Sequence, residues 1–263
     1  MRNLLVEIRY NGARYHGYQV QPNAPSIMET VQNAVEHTLK KREPIIGCSR
    51  TDAGVHANQY FFSMKTDVNI PLDKFQIVMN HALPSDIAVM SCREVPLSFH
   101  ARYDCKGKEY LYQICNVSVK NPFLADFAMS YFRPLEVEKL NEAAQALVGK
   151  HDFTSFCSPN GKDGSKARTI EYVRLWREGD MAYMRIKADG FLYNMVRIIV
   201  GTLLFMNEGK IPMDGMPAIL EGMDRRLAGK TAPPQGLYLN HVEYEDAAWN
   251  AFLPNGAGPM SEI

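Results

Sequence analysis

The chain has no net charge, no long apolar run, no C-x-x-C pair and no repeated or low-complexity tract. Lysine plus arginine equals aspartate plus glutamate at 29 each, so the overall basicity that announces many nucleic-acid binders is missing. A polyanion responds to a local face, however, and residues 150–187 hold eight Lys or Arg against five Asp or Glu, which permits a basic groove. The most apolar stretch, Ile198 to Met206, is nine residues long, about half of what crosses a bilayer, so no membrane association is expected. The opening MRNLLVEIRY is interrupted by Glu7 and Arg9 before a secretory signal core can form, which makes the cytoplasm the expected compartment. The five cysteines (Cys48, Cys92, Cys105, Cys115, Cys157) are odd in number and scattered. They read as buried reduced thiols, with neither a disulfide framework nor a zinc site indicated.

What is present is an ordinary globular composition, 46% hydrophobic and 22% charged over 263 residues, enough for one large core or two modest ones. Residues 3–10 alternate Leu4, Val6, Ile8 and Tyr10 with Leu5, Glu7 and Arg9, the period of a half-buried strand. A helix follows from Pro25, with Ser26 and Glu29 spaced as a capping box and Ile27, Val31, Ala34, Val35 and Leu39 on one face. Strands at 58–66 and 86–95 flank a helix near 72–82. The second half repeats the pattern: a strand at 106–116, a helix over 135–149 stopped by Gly149, and a hairpin turning at Glu178-Gly179-Asp180. A buried helix over 194–209 and a closing strand at 236–244 complete it. The expectation is an α+β protein of two halves, 1–104 and 105–245, with a loosely packed tail at 246–263 and a mobile loop at 158–167.

One stretch fits no regular element. In IIGCSRTDAGVHANQ, residues 45–59, an arginine, an aspartate, two glycines and a histidine crowd together directly before an apolar strand. Gly47 and Gly54 permit tight turns either side of Asp52, and Arg50 is close enough in sequence to keep a carboxylate ionised. Such a group serves as nucleophile or base. Judged on local chemistry alone, an Asx turn with a surface ion pair is the commoner outcome for these residues. Arg197 poses a sharper problem, because it sits in the apolar NMVRIIVG helix where an unpaired charge would cost several kcal/mol. Either it reaches solvent along its aliphatic stem or it finds an anion.

The string GCSRTDAGVHA resembles the G-R-T-D-A-G-V-H signature of the tRNA pseudouridine synthase A family, and four further segments agree in order. These are NGARYHGYQVQPNAPSIMETVQNAV, FHARYDCKGKEYLYQI, GFLYNMVRIIVGTLL and TAPPQGLYL, so the resemblance runs from about residue 5 to residue 244. Ser49 departs from it, standing where many members carry glycine. The resemblance implies the pseudouridine synthase fold, two sandwich-like halves with mixed, mainly antiparallel sheets around a central cleft. It implies isomerisation of uridine at positions 38–40 of the tRNA anticodon stem-loop, by a dimeric enzyme needing no cofactor or metal. Asp52 is then the catalytic carboxylate and Arg197 its buried partner. Tyr110 is the active-site tyrosine, and Arg50 props the stack from which the base is flipped. Arg102, Lys106, Lys108, Lys162, Lys166 and Arg168 become candidates for phosphate contacts, each of which taken singly reads as a solvated surface charge. Tyr110 by itself would be core more often than functional. His56 and His100 lack metal-type spacing and read as structural or RNA-contacting. The rival reading is a non-catalytic RNA-binding module in which Asp52 is a turn residue; it would yield no pseudouridine from unmodified tRNA.

Overall fold

A computed structural model describes residues 1–159 and 164–245. The first half contributes β1 (Arg2–Tyr10), α1 (Ile27–Leu39), β2 (Ile45–Gly47), β3 (His56–Thr66), α2 (Leu72–Ala82) and β4 (Ile87–Val95). The second contributes β5 (Cys105–Cys115), β6 (Met129–Ser130), α3 (Val137–Ala144), β7 (Gly149–Asp152), β8 (Ala167–Glu178), β9 (Met181–Ala188), α4 (Met195–Asn207), α5 (Met216–Gly222) and β10 (Leu237–Tyr244). Among the described residues all the strands join one ten-stranded sheet in the order β4-β1-β3-β10-β5-β9-β8-β7, with β2 added beside β3 and β6 beside β5. Pairing is antiparallel except at β5–β6 and at the seam, where Tyr238 and Leu239 of β10 lie parallel to His56 and Ala57 of β3. The expected mixed, mainly antiparallel α+β architecture is present, and the two sets of strands are continuous across that seam.

Local chemistry accounts for the start of α1 and for the β8–β9 turn. Ser26 accepts the Glu29 amide at 3.2 Å and starts α1, whose Ile27, Val31, Ala34, Val35 and Leu39 are buried as the spacing requires. The β8–β9 hairpin pairs Glu178 with Met181, leaving Gly179-Asp180 as its two-residue turn. β1 is covered on more of its second face than alternation implies: Leu5 is buried, and Phe61 beside it meets Tyr244, which meets Phe99. Asn3 holds that covering segment by donating to the carbonyls of Pro96 and Phe99.

The helix expected over 135–149 is shorter. It ends at Ala144, tightens into a 3-10 turn over Gln145–Leu147, and Gly149 opens β7 in place of closing the helix. The four residues GKHD carry no apolar alternation, and only their pairing with Ala167–Ile170 of β8 makes them a strand. The tail 246–263 and the centre of the 158–167 loop, including Lys162, lie outside the described residues. Among the described residues no helix is long and apolar enough to cross a membrane.

Nine of the 13 residues of α4 are buried, and its N-terminal half is locked by the segment that precedes β10. Ala232 N–H donates to Arg197 O at 3.0 Å, Gly229 N–H donates to Thr202 Oγ1 at 2.9 Å, and the two backbones nearly touch at Gly201. A Cβ there would stand 1.6 Å from Lys230 O, which no side-chain adjustment relieves because the obstacle is main chain. Gly201→Ala is expected to destabilise by about 3 kcal/mol or more, overpacking against backbone being at the upper end of such costs. Urea denaturation checks this, and an unchanged midpoint would contradict it.

Candidate active site

The 48–55 loop between β2 and β3 has its path set by tyrosines. Tyr60 donates its hydroxyl to Ser49 O at 2.6 Å, Tyr18 stacks on Tyr60 with ring centres 4.5 Å apart, and Tyr10 exchanges a 2.8 Å hydrogen bond with Thr51 Oγ1. Backbone bonds from Tyr18 N–H to Thr51 O and from Gly54 N–H to Tyr15 O dock the loop on residues 15–18. Gly54 does adopt a left-handed turn, at φ +75°, and its α-carbon faces Pro234. Gly47 does not serve as a turn. It lies in β2, and a Cβ on it would strike Tyr60 and Tyr18, so what it provides is room for the aromatic pair.

This clamp presents Asp52 to α4 across the seam. Arg197 Nη1 donates to Asp52 Oδ2 at 3.2 Å, with the arginine and aspartate side chains only 15% and 24% exposed. The anion that the apolar helix demanded is therefore Asp52. Two shorter bonds hold the guanidinium independently: Nε to Ala232 O at 2.7 Å and Nη1 to Asn194 Oδ1 at 2.9 Å. Burial raises the Asp52 pKa above its usual 3.8, and the charge and hydrogen bond of Arg197 oppose that rise.

Asp52 borders a cleft of about 830 Å³ whose lining also includes Arg50, Arg102, Lys108 and Tyr110, with Arg197 behind it and outside the lining. Tyr110, on β5 between Leu239 and Ile186 of its neighbours, is 7% exposed and meets Phe191 edge-on at 5.0 Å. Burial lifts its phenol well above the ordinary tyrosine range; hydrogen bonding with Ser49 opposes this, and the nearby Asp52 charge adds to it. Tyr110 is therefore a neutral hydroxyl that donates or accepts.

The remaining basic candidates separate. Arg50, Arg102 and Lys108 share the cleft with Asp52. Arg168 does not line it; its guanidinium donates to the carbonyls of Ser165 and Ala167. Lys106 pairs with Glu245, and Lys166 donates to Cys157 Sγ. His56 is structural. Its Nδ1 accepts Gly12 N–H at 3.0 Å, which leaves the proton on Nε2 for Gln235 O at 3.2 Å, and burial lowers its pKa so that the ring stays neutral. It ties the loop after β1 to the turn before β10. His100 stacks on Tyr103 and accepts local backbone amides.

Asn194, Phe191 and Tyr193 also line the cleft and escaped the reading of the sequence. They stand in GFLYNMVR directly before Arg197, so proximity to that residue was the available signal.

A family model described as tRNA pseudouridine synthase matches residues 8–104 and 143–245. The chain is 41% identical over 244 residues to tRNA pseudouridine synthase A of Thermoanaerobacter sp. (strain X514), covering 93% of this chain and 100% of that one. It is 42% identical to the protein of the same name from Acetivibrio thermocellus over 244 residues, with the same coverage. The chain belongs to the tRNA pseudouridine synthase family. As a member it is an isomerase that converts uridine in tRNA to pseudouridine. The synthase from Halalkalibacterium halodurans is 41% identical over 242 residues, covering 90% of each chain. Among solved structures, one from the crystal structure of a Cbf5-Nop10-Gar1 complex is similar over 92% of this chain and 58% of that one, at 11% identity and a TM-score of 0.38.

The electrostatics of this synthase yield a direct titration. Because burial is the larger influence on Asp52 and Arg197 opposes it, the carboxyl carbon of Asp52 should titrate in NMR with a midpoint above 3.8. Arg197→Met removes the opposing cation and should move that midpoint higher still. A midpoint at or below 3.8, or a downward move in the variant, would contradict the assignment of causes.

Proposed function

We propose that this synthase acts on uridines of the tRNA anticodon arm and that Asp52 is the carboxylate that reacts. The observation that carries this reading is a single one: an aspartate three-quarters withdrawn from water, at the edge of a cleft, aimed by an arginine 3.2 Å away. Isomerisation breaks the N1–C1′ bond, turns the uracil and joins C5 to C1′, after which C5 loses its proton and N1 regains one. Atoms and oxidation state balance within the substrate, so a carboxylate and a proton relay are chemically sufficient. The Asp52 anion either attacks the nucleoside or takes a sugar proton to give a glycal. Tyr110, neutral and facing the same cleft, stacks against the turning ring and carries the C5 proton away.

A stacked uridine cannot present its glycosidic bond, so the nucleotide must leave the helix, at a cost of a few kcal/mol. Arg50, exposed in the cleft two residues before Asp52, suits the role of filling the gap. Arg102 and Lys108, lining the same cleft, supply phosphate contacts; Arg168 would do so from outside it. A homodimer presenting such clefts to one tRNA, working in the cytoplasm, completes the reading. A neutral chain with local basic walls suits a defined groove better than diffuse attraction.

Unmodified tRNA incubated with the protein alone should gain carbodiimide-resistant pseudouridine in the anticodon arm. Asp52→Ala should lose product by at least about 10³-fold, as expected for loss of a reacting group, with tRNA affinity retained. Arg50→Ala should weaken productive engagement as well. Wild-type turnover by Asp52→Ala would end the assignment of that residue, and product elsewhere in the tRNA would end the assignment of the arm.

A further inference from the structure

Asn194 occupies the N-cap of α4, where an asparagine ordinarily turns its side-chain oxygen onto the first free amides of the helix. Here it makes no such bond. Its Oδ1 accepts from Arg197 Nη1 at 2.9 Å and its Nδ2 donates to Ser158 Oγ at 2.9 Å. The backbone is left-handed at φ 62°, ψ 7°, a region costly for most residues and tolerated by Asn and Gly. Arg197 itself stands in the first turn of the helix, where a cation opposes the partial positive charge of the exposed amides. Helix capping, backbone ease and dipole complementarity are all set aside at one corner, and the guanidinium orientation is what the corner obtains.

Nη1 is shared between Asn194 and Asp52, and the bond to Asn194 is the shorter. With Nε on Ala232 O at 2.7 Å, the arginine is aimed before Asp52 is considered. We infer that Asn194 is a positioning residue for the reaction: it sets the direction from which Arg197 meets the Asp52 carboxylate, and with it the protonation behaviour and reactivity of that carboxylate. This rests on the assignment of chemistry to Asp52. The other charged or titratable groups at the site are Tyr110 from β5, Arg50 from the same loop, Arg102, Lys108, Tyr193 from the turn before α4 and His16 from the segment after β1, with Tyr112 of β5 facing Arg197.

Two variants test it. Asn194→Gly keeps a left-handed backbone available and deletes the side chain. With Arg197 less well aimed, kcat should fall about 10-fold or more while KM for tRNA moves less than about 2-fold, the split expected for lost alignment. The acid limb of the rate profile should move to higher pH, because a poorly held cation favours the anion less. Asn194→Asp keeps the shape but places a second carboxylate on Nη1, so the limb should move up further. The NMR titration of the Asp52 carboxyl, identified by its loss in Asp52→Asn, reads the same displacement without activity and separates it from titration of His16 or Tyr110. A merely structural asparagine would lower the melting temperature and leave the Asp52 midpoint where it was. Wild-type kcat in Asn194→Gly with an unmoved midpoint would overturn the inference. If Asn194→Gly does not fold, the uncharged and shorter Asn194→Ser decides, a raised midpoint supporting the role and an unmoved one ending it, because Asn194→Asp would raise the midpoint by like-charge repulsion alone. An active Asp52→Ala control would overturn both this inference and the reading it rests on, whereas an inactive control with unmoved Asn194 variants would overturn this inference alone.

Discussion

A carboxylate and a guanidinium held 3.2 Å apart in a place where neither could stay alone constrain the rest of this molecule. Arg197 projects from a helix whose neighbours are Val196, Ile198, Ile199 and Val200, all buried, and a lone cation there would carry a desolvation cost of several kcal/mol. Asp52 is likewise pushed toward its neutral form by burial. Each charge makes the other tolerable. Removing either leaves an uncompensated ion, which ties the stability of the seam to the site that lies in it.

Neither partner could be placed by its own half. Asp52 rides on the loop between β2 and β3, and Arg197, in the first turn of α4, is 145 residues further along the chain. What brings them together is the short parallel pairing of β10 with β3, supported by His56 bridging Gly12 and Gln235. The segment before β10 serves twice. It crosses α4 at Gly201, where main chains approach too closely for any side chain, and Pro234 reaches Gly54 behind the Asp52 turn. Ala232 meanwhile offers its carbonyl to Arg197 Nε. One stretch of backbone thus registers the helix, the arginine and the loop against one another, and the site inherits that rigidity.

Legibility from sequence followed the range of the interactions involved. Apolar periodicity marked β1, α1, β3, β5, the β8–β9 hairpin and α4, because alternation and helical spacing are properties of neighbours in the chain. The requirement that Arg197 find an anion was also legible, since a charge among aliphatic residues states its own need. β7 was not, because GKHD has no pattern of its own and becomes a strand only through its partner. Gly47 misled for a related reason: local rules offer a turn, while its actual duty is to leave space for Tyr18 and Tyr60. Arg168 belonged to a plausible basic set but bonds to carbonyls at the start of its own strand, outside the cleft lining. Asn194 carried no mark beyond standing three residues before Arg197.

Sequence alone determined the class of the chain, its main elements, the family signature around Asp52 and the presence of a buried arginine in search of a partner. Those follow from composition, from short-range periodicity and from the cost of an unpaired charge, none of which requires the chain to be folded. Only the tertiary structure decided that the strands run as one sheet, that Arg197 is steered by Asn194 and Ala232, and that Arg50, Lys108 and Tyr110 face one cleft with Asp52. These are directions and distances between residues far apart in the chain. They are set by how two backbones pack at the seam, and no local pattern encodes them.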